Sequence, residues 1–481
     1  MEAFVCILPS NFFERTAKGT VIFVVILLGN CYSGFSMSIA INRLPESFMA
    51  EQVVSKHADL YVSPTGDDFN PGTLSAPLRT FQKAVNVARP GSVILVRGGT
   101  YNQTVKFSQN NSGKAGKYIL FAAYPGEVPI IDAINLVLPE NSAPIEINAS
   151  YVRVSGFTVK NVRGNSTQFG ILAENASNVV IDRNHTIQTA SAGIGSWYSS
   201  YVVVRDNKVQ DGRTTGTQEC LSVNGTSYFE ISHNVVWNTQ VWPEKCEGID
   251  VKNGSKYGVI SKNIVHDLPL EGIYVDAYQE GVTEYIEIHG NLIYNTSMGI
   301  ALTSEVSATL KNIKIYNNII RNTFYMGIGF PAWGPTTGAI SNIQIFNNTI
   351  DNRNAKYETN PTGFFLQFPR IFSLTIRNNI ILTSGAAFVI DGAIIKDFIV
   401  DYNLIVAAKF CEGGNINDVR NIYSDPLFID ADQGNYRLSA QSPAIDKGSK
   451  LVKLYLDFYE TPRPQGGSID IGAVEYSKNG F

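Results

Sequence analysis

Charge is scarce in this chain: 17% of its 481 residues are Asp, Glu, Lys or Arg, against about 25% in ordinary globular proteins. With hydrophobic residues at 44%, that balance excludes a disordered polymer, which needs low hydrophobicity and high charge. There is no basic excess either. The net charge is -4, so nothing marks a nucleic-acid partner. Cysteine is rare and odd in number, at 5, and no pair has zinc-ligand spacing, which excludes a disulfide framework and a zinc module. Cys220 and Cys246 read first as buried thiols, with a bridge between them as the alternative. Long apolar runs are missing beyond the N-terminus, so no stable membrane span is expected after signal cleavage.

The N-terminus itself reads as an export signal. Arg15 and Lys18 precede the apolar run TVIFVVILLG, Thr20 to Gly29, which is too short to span well and has the order of a secretory signal. Residues 1–33 are assigned to that signal and 34–58 to a linker. The expected location is outside the cell, in the periplasm or on the cell surface.

What the chain has in abundance is repetition. VVIDRN, VVVRDN, FEISHN, GVISKN, IEIHGN, IKIYNN, IQIFNN, LTIRNN and FIVDYN each alternate apolar and polar residues and close on asparagine, from Asn184 to Asn403. Period-two alternation predicts strands. Irregular spacing in the twenties, with no helix between strands, predicts an all-β solenoid of about ten coils. Each coil stacks about 4.8 Å above the last, and the asparagines line one corner as a hydrogen-bonded ladder. A solenoid exposes an edge at each end. TFQKAVNVA, with Thr80 as cap and Phe81, Ala84, Val85 and Ala88 on one face, predicts a short helix over the N-terminal end. The stack and its N-terminal cap are assigned to 59–420, and a Pro- and Gly-rich capping segment to 421–481.

The two ends carry a resemblance. LYVSPTGDDFNPGTLSAPLRTFQKAVNVARPGSVILVRGGTY at the start, and SDPLFIDADQGNYRLSAQSPAIDKG with TPRPQGGSIDIGAVEY at the finish, resemble secreted right-handed parallel β-helix proteins. That group is similar to the pectate lyases, above all family 9 of the polysaccharide lyases. The resemblance implies a right-handed parallel β-helix and an acidic polysaccharide as partner. The chain is expected to act as a monomer.

Each coil has a second strand opening on GI or a variant. Aligning ECLSVNG, EGIDVKNG, EGIYVDAY and MGIALTSE turns Leu221, Val223, Ile249, Val251, Ile273, Val275, Ile300 and Leu302 inward. Outward columns are then Asn224, Lys252, Asp276 and Thr303, beside Ser222, Asp250, Tyr274 and Ala301. Glu219, Glu247 and Glu271 form a third column. Five carboxylates and one lysine therefore gather on about three coils, where like charges repel unless compensated. Ca²⁺, held by Glu219, Glu247, Glu271 and Asp276, is one compensation. Salt bridges through Lys252 and its neighbours, with partial protonation, are another.

A cation on this face would acidify the C5 proton of a bound uronate, and Lys252, with Asp250 beside it, is the candidate base for β-elimination. Family 9 lyases place a lysine on a β-helix strand beside acidic calcium ligands, so the resemblance implies the same roles here. Tyr274 and Trp242 are candidates to stack on sugar rings, and Arg213 to bind a second uronate. His266 is a candidate for proton transfer, or a surface turn residue. Two alternatives stay open. One is a glycoside hydrolase using two of Glu247, Asp250, Glu271 and Asp276; the other is a non-catalytic carbohydrate-binding or adhesin β-helix.

Overall fold

The structure is a computed structural model that describes residues 57–239, 246–279, 281–355 and 361–478. The expected signal, all but the end of the linker, and Trp242 lie outside the described residues. The molecule is a right-handed β-solenoid of about eleven turns.

Thirteen parallel strands, from Leu60–Val62 to Ile395–Asp401, stack into one sheet. A further 22 short strands build the remaining faces. One central coil shows the plan: Ser177–Asp182, then His185–Thr189, then Ile194–Trp197. Each coil thus has three strands, not two. In the later coils the second and third fuse, as in Ile264–Ala277 and Leu292–Ser304. Inside runs one column of aliphatic side chains, including all eight predicted inward residues from Leu221 to Leu302.

The corner after each strand of the thirteen-stranded sheet is fixed by the asparagines. Asn207 Nδ2 donates to Asn234 Oδ1 at 3.0 Å and to the Ile181 carbonyl of the coil before at 2.9 Å. The pattern repeats from Asn184 to Asn403 and runs one rung further, to Asn421 (3.1 Å). A buried turn must satisfy its backbone somewhere; here the neighbouring coil's amide does so.

A second device recurs near the start of these strands. One residue per coil adopts a left-handed conformation and drops out of the pairing: Asn178 (φ 57), Tyr201 (φ 56), Tyr228 (φ 57), Tyr257 (φ 58), Tyr285 (φ 56) and Asn312 (φ 58) among them. Asparagine takes this conformation readily, whereas for other L-residues it costs about 1–2 kcal/mol.

The N-terminal end carries the expected helix, and the C-terminal segment packs against the ladder corner. Phe81–Val87 is helical, with Thr80 Oγ1 accepting from the Lys83 amide at 3.3 Å, and Phe81, Ala84 and Val85 are buried on the core. Downstream of the stack, Phe428–Asp430 pairs antiparallel with Asn435–Leu438. The segment lies along the ladder corner: Asn347 Nδ2 donates to the Asp470 carbonyl (2.8 Å), and Ser449 donates its amide to Asn378 Oδ1 (2.8 Å).

Candidate active site

The strand Ile249–Lys252 lies between Leu221–Asn224 and the second half of Ile264–Ala277. Ser222 pairs with Asp250, Asp250 with Tyr274 and Tyr274 with Ala301; Asn224 pairs with Lys252, and Asp276 with Thr303. This is the register expected from the alignment. Aliphatic residues at alternate positions lock it, because a one-residue slip would turn Ile249 and Val251 out of the core.

The outward face is not solvated. Asp250, Asp276, Glu219 and Glu271 are all buried, and Asp250 is wholly so. Lys252 Nζ lies 2.6 Å from Glu219 Oε1 and 2.9 Å from Asp250 Oδ2. Arg213, from the loop before Glu219, pairs with Glu247. Tyr274 donates its hydroxyl to Glu305 and meets the Trp333 ring edge-on at 5.4 Å. Trp197 closes the preceding coil, its Nε1 donating to Ser222 Oγ at 3.3 Å. The structure thus brings together Lys252, Asp250, Glu219 and Asp276, with Arg213, Glu247 and Glu271 beside them. Arg213 is committed to a glutamate of the protein. His266 stands apart on a strand, its Nδ1 2.7 Å from Asp267 Oδ2, stacked between Trp237 and Tyr294.

Sequence reasoning missed Glu305 and favoured thiols for Cys220 and Cys246. The signal for Glu305 was there, as the last residue of MGIALTSE. The two cysteines form a disulfide with Cα atoms 6.0 Å apart. It ties the coil that carries Glu219 to the coil that carries Glu247.

Charges in this recess are unbalanced. Burial pushes Asp250 and Asp276 well above the usual carboxylate range, and Lys252 only partly counters it. Glu247 is raised by burial and by Glu219, against Arg213. Burial, with Glu247 nearby, pushes Glu271 up to about 8. Burial works against the Glu219 carboxylate too, but the Lys252 ammonium prevails and holds it below its usual value. Burial alone would lower Lys252; Asp250, Glu219 and Asp276 reverse that and hold it protonated.

Several oxygens in the recess have no hydrogen-bond partner: Glu219 Oε2, Asp250 Oδ1, Asp276 Oδ1 and Asn224 Oδ1. Such all-oxygen donors suit a hard cation such as Ca²⁺. No three His, Cys, Asp or Glu among the described residues are grouped as ligands of one ion, and the Lys252 ammonium stands among the carboxylates instead. The donor chemistry therefore fits a cation, while the side chains are arranged around the lysine.

A pH dependence follows. Between 4.5, the ordinary value, and about 8, folded Glu271 keeps a proton that the unfolded chain has released. Stability present below that window is lost as pH rises through it. Asp470, raised by burial to about 7 in the C-terminal segment, acts with the same sign. Buried His289, pushed down to about 4, acts with the opposite sign up to its ordinary 6.5, so in chelator the thermal midpoint is expected to fall from about pH 6.5 to about pH 8, and Glu271→Gln to flatten part of the slope. A midpoint rising over that range would contradict the assignment.

Comparison with known proteins agrees with this architecture. Residues 60–207 match the family model described as Pel9A-like, right handed beta helix region. Residues 134–365 match periplasmic copper-binding protein (NosD), and 284–454 match disaggregatase related. Uncharacterized protein YwoF of Bacillus subtilis is 28% identical over 448 residues, 80% of this chain and 92% of that protein. Pectate lyase PEL9 of Emericella nidulans is 43% identical over 93 residues, 19% of this chain and 22% of that enzyme. The crystal structure of pectate lyase Pel9A has a TM-score of 0.54 at 16% identity, covering 87% of this chain and 96% of that one; at that identity the likeness speaks for the fold alone. No helix among the described residues is long and apolar enough to cross a membrane. With thirteen parallel strands in register and the match over 60–207, the chain is a right-handed parallel β-helix protein resembling the pectate lyases.

Proposed function

We propose that this protein is an exported lyase that cleaves a uronate-containing polysaccharide by β-elimination, with Lys252 as the base. One observation carries the reading: a single part-buried lysine, on an outward strand position, stands among the carboxylates of Glu219, Asp250 and Asp276, some of whose oxygens lack partners. With the charge of the three carboxylates offset by a bound cation, Lys252 would lose the proton they otherwise hold on it, and the neutral amine takes the C5 proton of the uronate. The C–H electrons form the C4–C5 double bond, the C4–O bond breaks, and the leaving oxygen is protonated. Glu271, which holds a proton up to about 8, is an acid in the same recess for that last transfer. Glu219, Asp250 and Asp276 would hold a Ca²⁺ ion, which when bound supplies positive charge that neutralises the uronate carboxylate and acidifies C5. Tyr274 and Trp333 supply an aromatic wall for a neighbouring sugar.

A second reading rests on the opposite shifts of neighbouring carboxyls. Asp250, Asp276 and Glu271 are raised while Glu219 is lowered. An acid beside a carboxylate on neighbouring coils is the pairing a glycoside hydrolase needs, at about 5–5.5 Å for a retaining enzyme.

Incubation with polygalacturonate, alginate and glycosaminoglycans, each with Ca²⁺ or chelator, separates the two. The lyase reading expects near-ultraviolet absorbance from an unsaturated product, dependent on Ca²⁺. New reducing ends without that absorbance would establish hydrolysis instead.

A further inference from the structure

Around the corner from Lys252 the surface changes character. Tyr201, Tyr228, Tyr257 and Tyr285 stack face to face on four successive coils of the thirteen-stranded sheet. Their ring centroids are 4.9, 4.9 and 5.2 Å apart and their planes within 13° of parallel. Tyr201 and Tyr228 are 42% and 40% exposed, and none of the four hydroxyls makes a hydrogen bond among the described residues.

Two features argue that the stack is more than packing. First, each tyrosine occupies the left-handed position of its coil, which disfavours an aromatic side chain. The coils on either side fill the same position with Asn178 and Asn312, which adopt it readily. Second, the stack spans the coils that build the recess. Trp197, Asn224 and Lys252 end, and Asp276 is the last residue but one of, the strands that lead into Tyr201, Tyr228, Tyr257 and Tyr285. The row is continuous over these four coils, while Tyr151 takes the same position two coils before Tyr201 and Glu305 lies on the coil that leads into Asn312. Lys256, next to Tyr257, makes no ion pair among the described residues, and Glu284, its partner on the next strand, is paired instead with Lys311.

We propose that this tyrosine row is a second binding site, a rail that holds an extended acidic polysaccharide alongside the recess. The stacked rings present their edges and hydroxyls outward, so recognition is by hydrogen bonds from successive phenols rather than by ring stacking. Their repeat of about 5 Å is set by the coil rise, which is close to the advance per sugar in an extended chain. Lys256 attracts the uronate charge. The inference takes its ligand class from the function proposed above.

The test is retention in native gels containing polygalacturonate, with thermal unfolding to follow the fold. Replacing all four tyrosines by asparagine installs the residue the repeat itself uses, so the fold is expected to persist. Retention should weaken by about tenfold or more, as loss of several hydrogen bonds implies. The matching Tyr→Phe variant keeps the stack and removes the hydroxyls, and should also lose retention at an unchanged midpoint. Wild-type retention in either variant would overturn the rail, as would a wild-type protein that polygalacturonate does not retain. Retention that depends on the tyrosines, in a protein that releases no unsaturated product, would sink the lyase reading and leave the rail standing.

Discussion

Lys252→Ala is expected to lower β-elimination by about 10²–10⁴-fold, the range for loss of a positioned base. It should also destabilise the cation-free protein. The ammonium lies within 2.9 Å of two carboxylates, one of them wholly buried. Removing one partner of a buried pair costs about 3–5 kcal/mol; part of that is recovered here as Asp250 takes up a proton. Alanine alone therefore mixes two effects. Lys252→Arg separates them, because a guanidinium keeps the positive charge and cannot act as a base near neutrality. Arginine should restore much of the unfolding free energy, read by denaturant titration in chelator, while elimination stays lost. An arginine variant with wild-type turnover would remove Lys252 from the chemistry.

The second large effect belongs to the ladder. Asn291 accepts from the amide and the side chain of Asn263 (2.9 and 3.0 Å) and donates to the Ile260 carbonyl and to Asn318 Oδ1 (both 2.9 Å). It is fully buried. Asn291→Ala removes the acceptor of two Asn263 N–H groups, backbone and side-chain, and one donor each from the Ile260 carbonyl and Asn318 Oδ1, the latter still accepting from the residue 291 amide. At about 1–3 kcal/mol for each orphaned group, reduced by relaxation, a loss of about 3–5 kcal/mol is expected. Asn421, the last rung, has no asparagine beyond it and is part-exposed, so water replaces its bonds and Asn421→Ala should cost about 1 kcal/mol. Equal losses at the two rungs, measured by denaturant unfolding, would show that the ladder is not a buried cooperative network.

The same contrast explains what the sequence made legible. The ladder and the inward aliphatic residues recur, so nine sequence copies were enough to read the fold, the register and the corner. The middle strand of each coil escaped because segments such as Lys208–Gln210 and Val235–Trp237 are only three residues long, too short for alternation to register. Asn421 escaped because no alternating strand precedes it. At the site, register alone put Asp250, Lys252 and the glutamates together. What it did not carry was burial. Outward positions in a solenoid are expected to meet water, yet Asp250 is enclosed, and that turns a solvated charge cluster into one with strongly shifted protonation. The Cys220–Cys246 bridge escaped for a related reason: its two residues are neighbours only across coils. The tyrosine row was visible as letters but carried no signal until the left-handed backbone beneath it was known.

The central claim, elimination with Lys252 as base, meets its most direct test in one time course. Near-ultraviolet absorbance is followed with polygalacturonate and Ca²⁺ for the wild type and for Lys252→Arg, both confirmed to be folded. A steady rise is expected for the wild type and a rate lower by about 10² or more for the arginine variant. Equal rates for the two, or reducing ends that accumulate without absorbance, would contradict it.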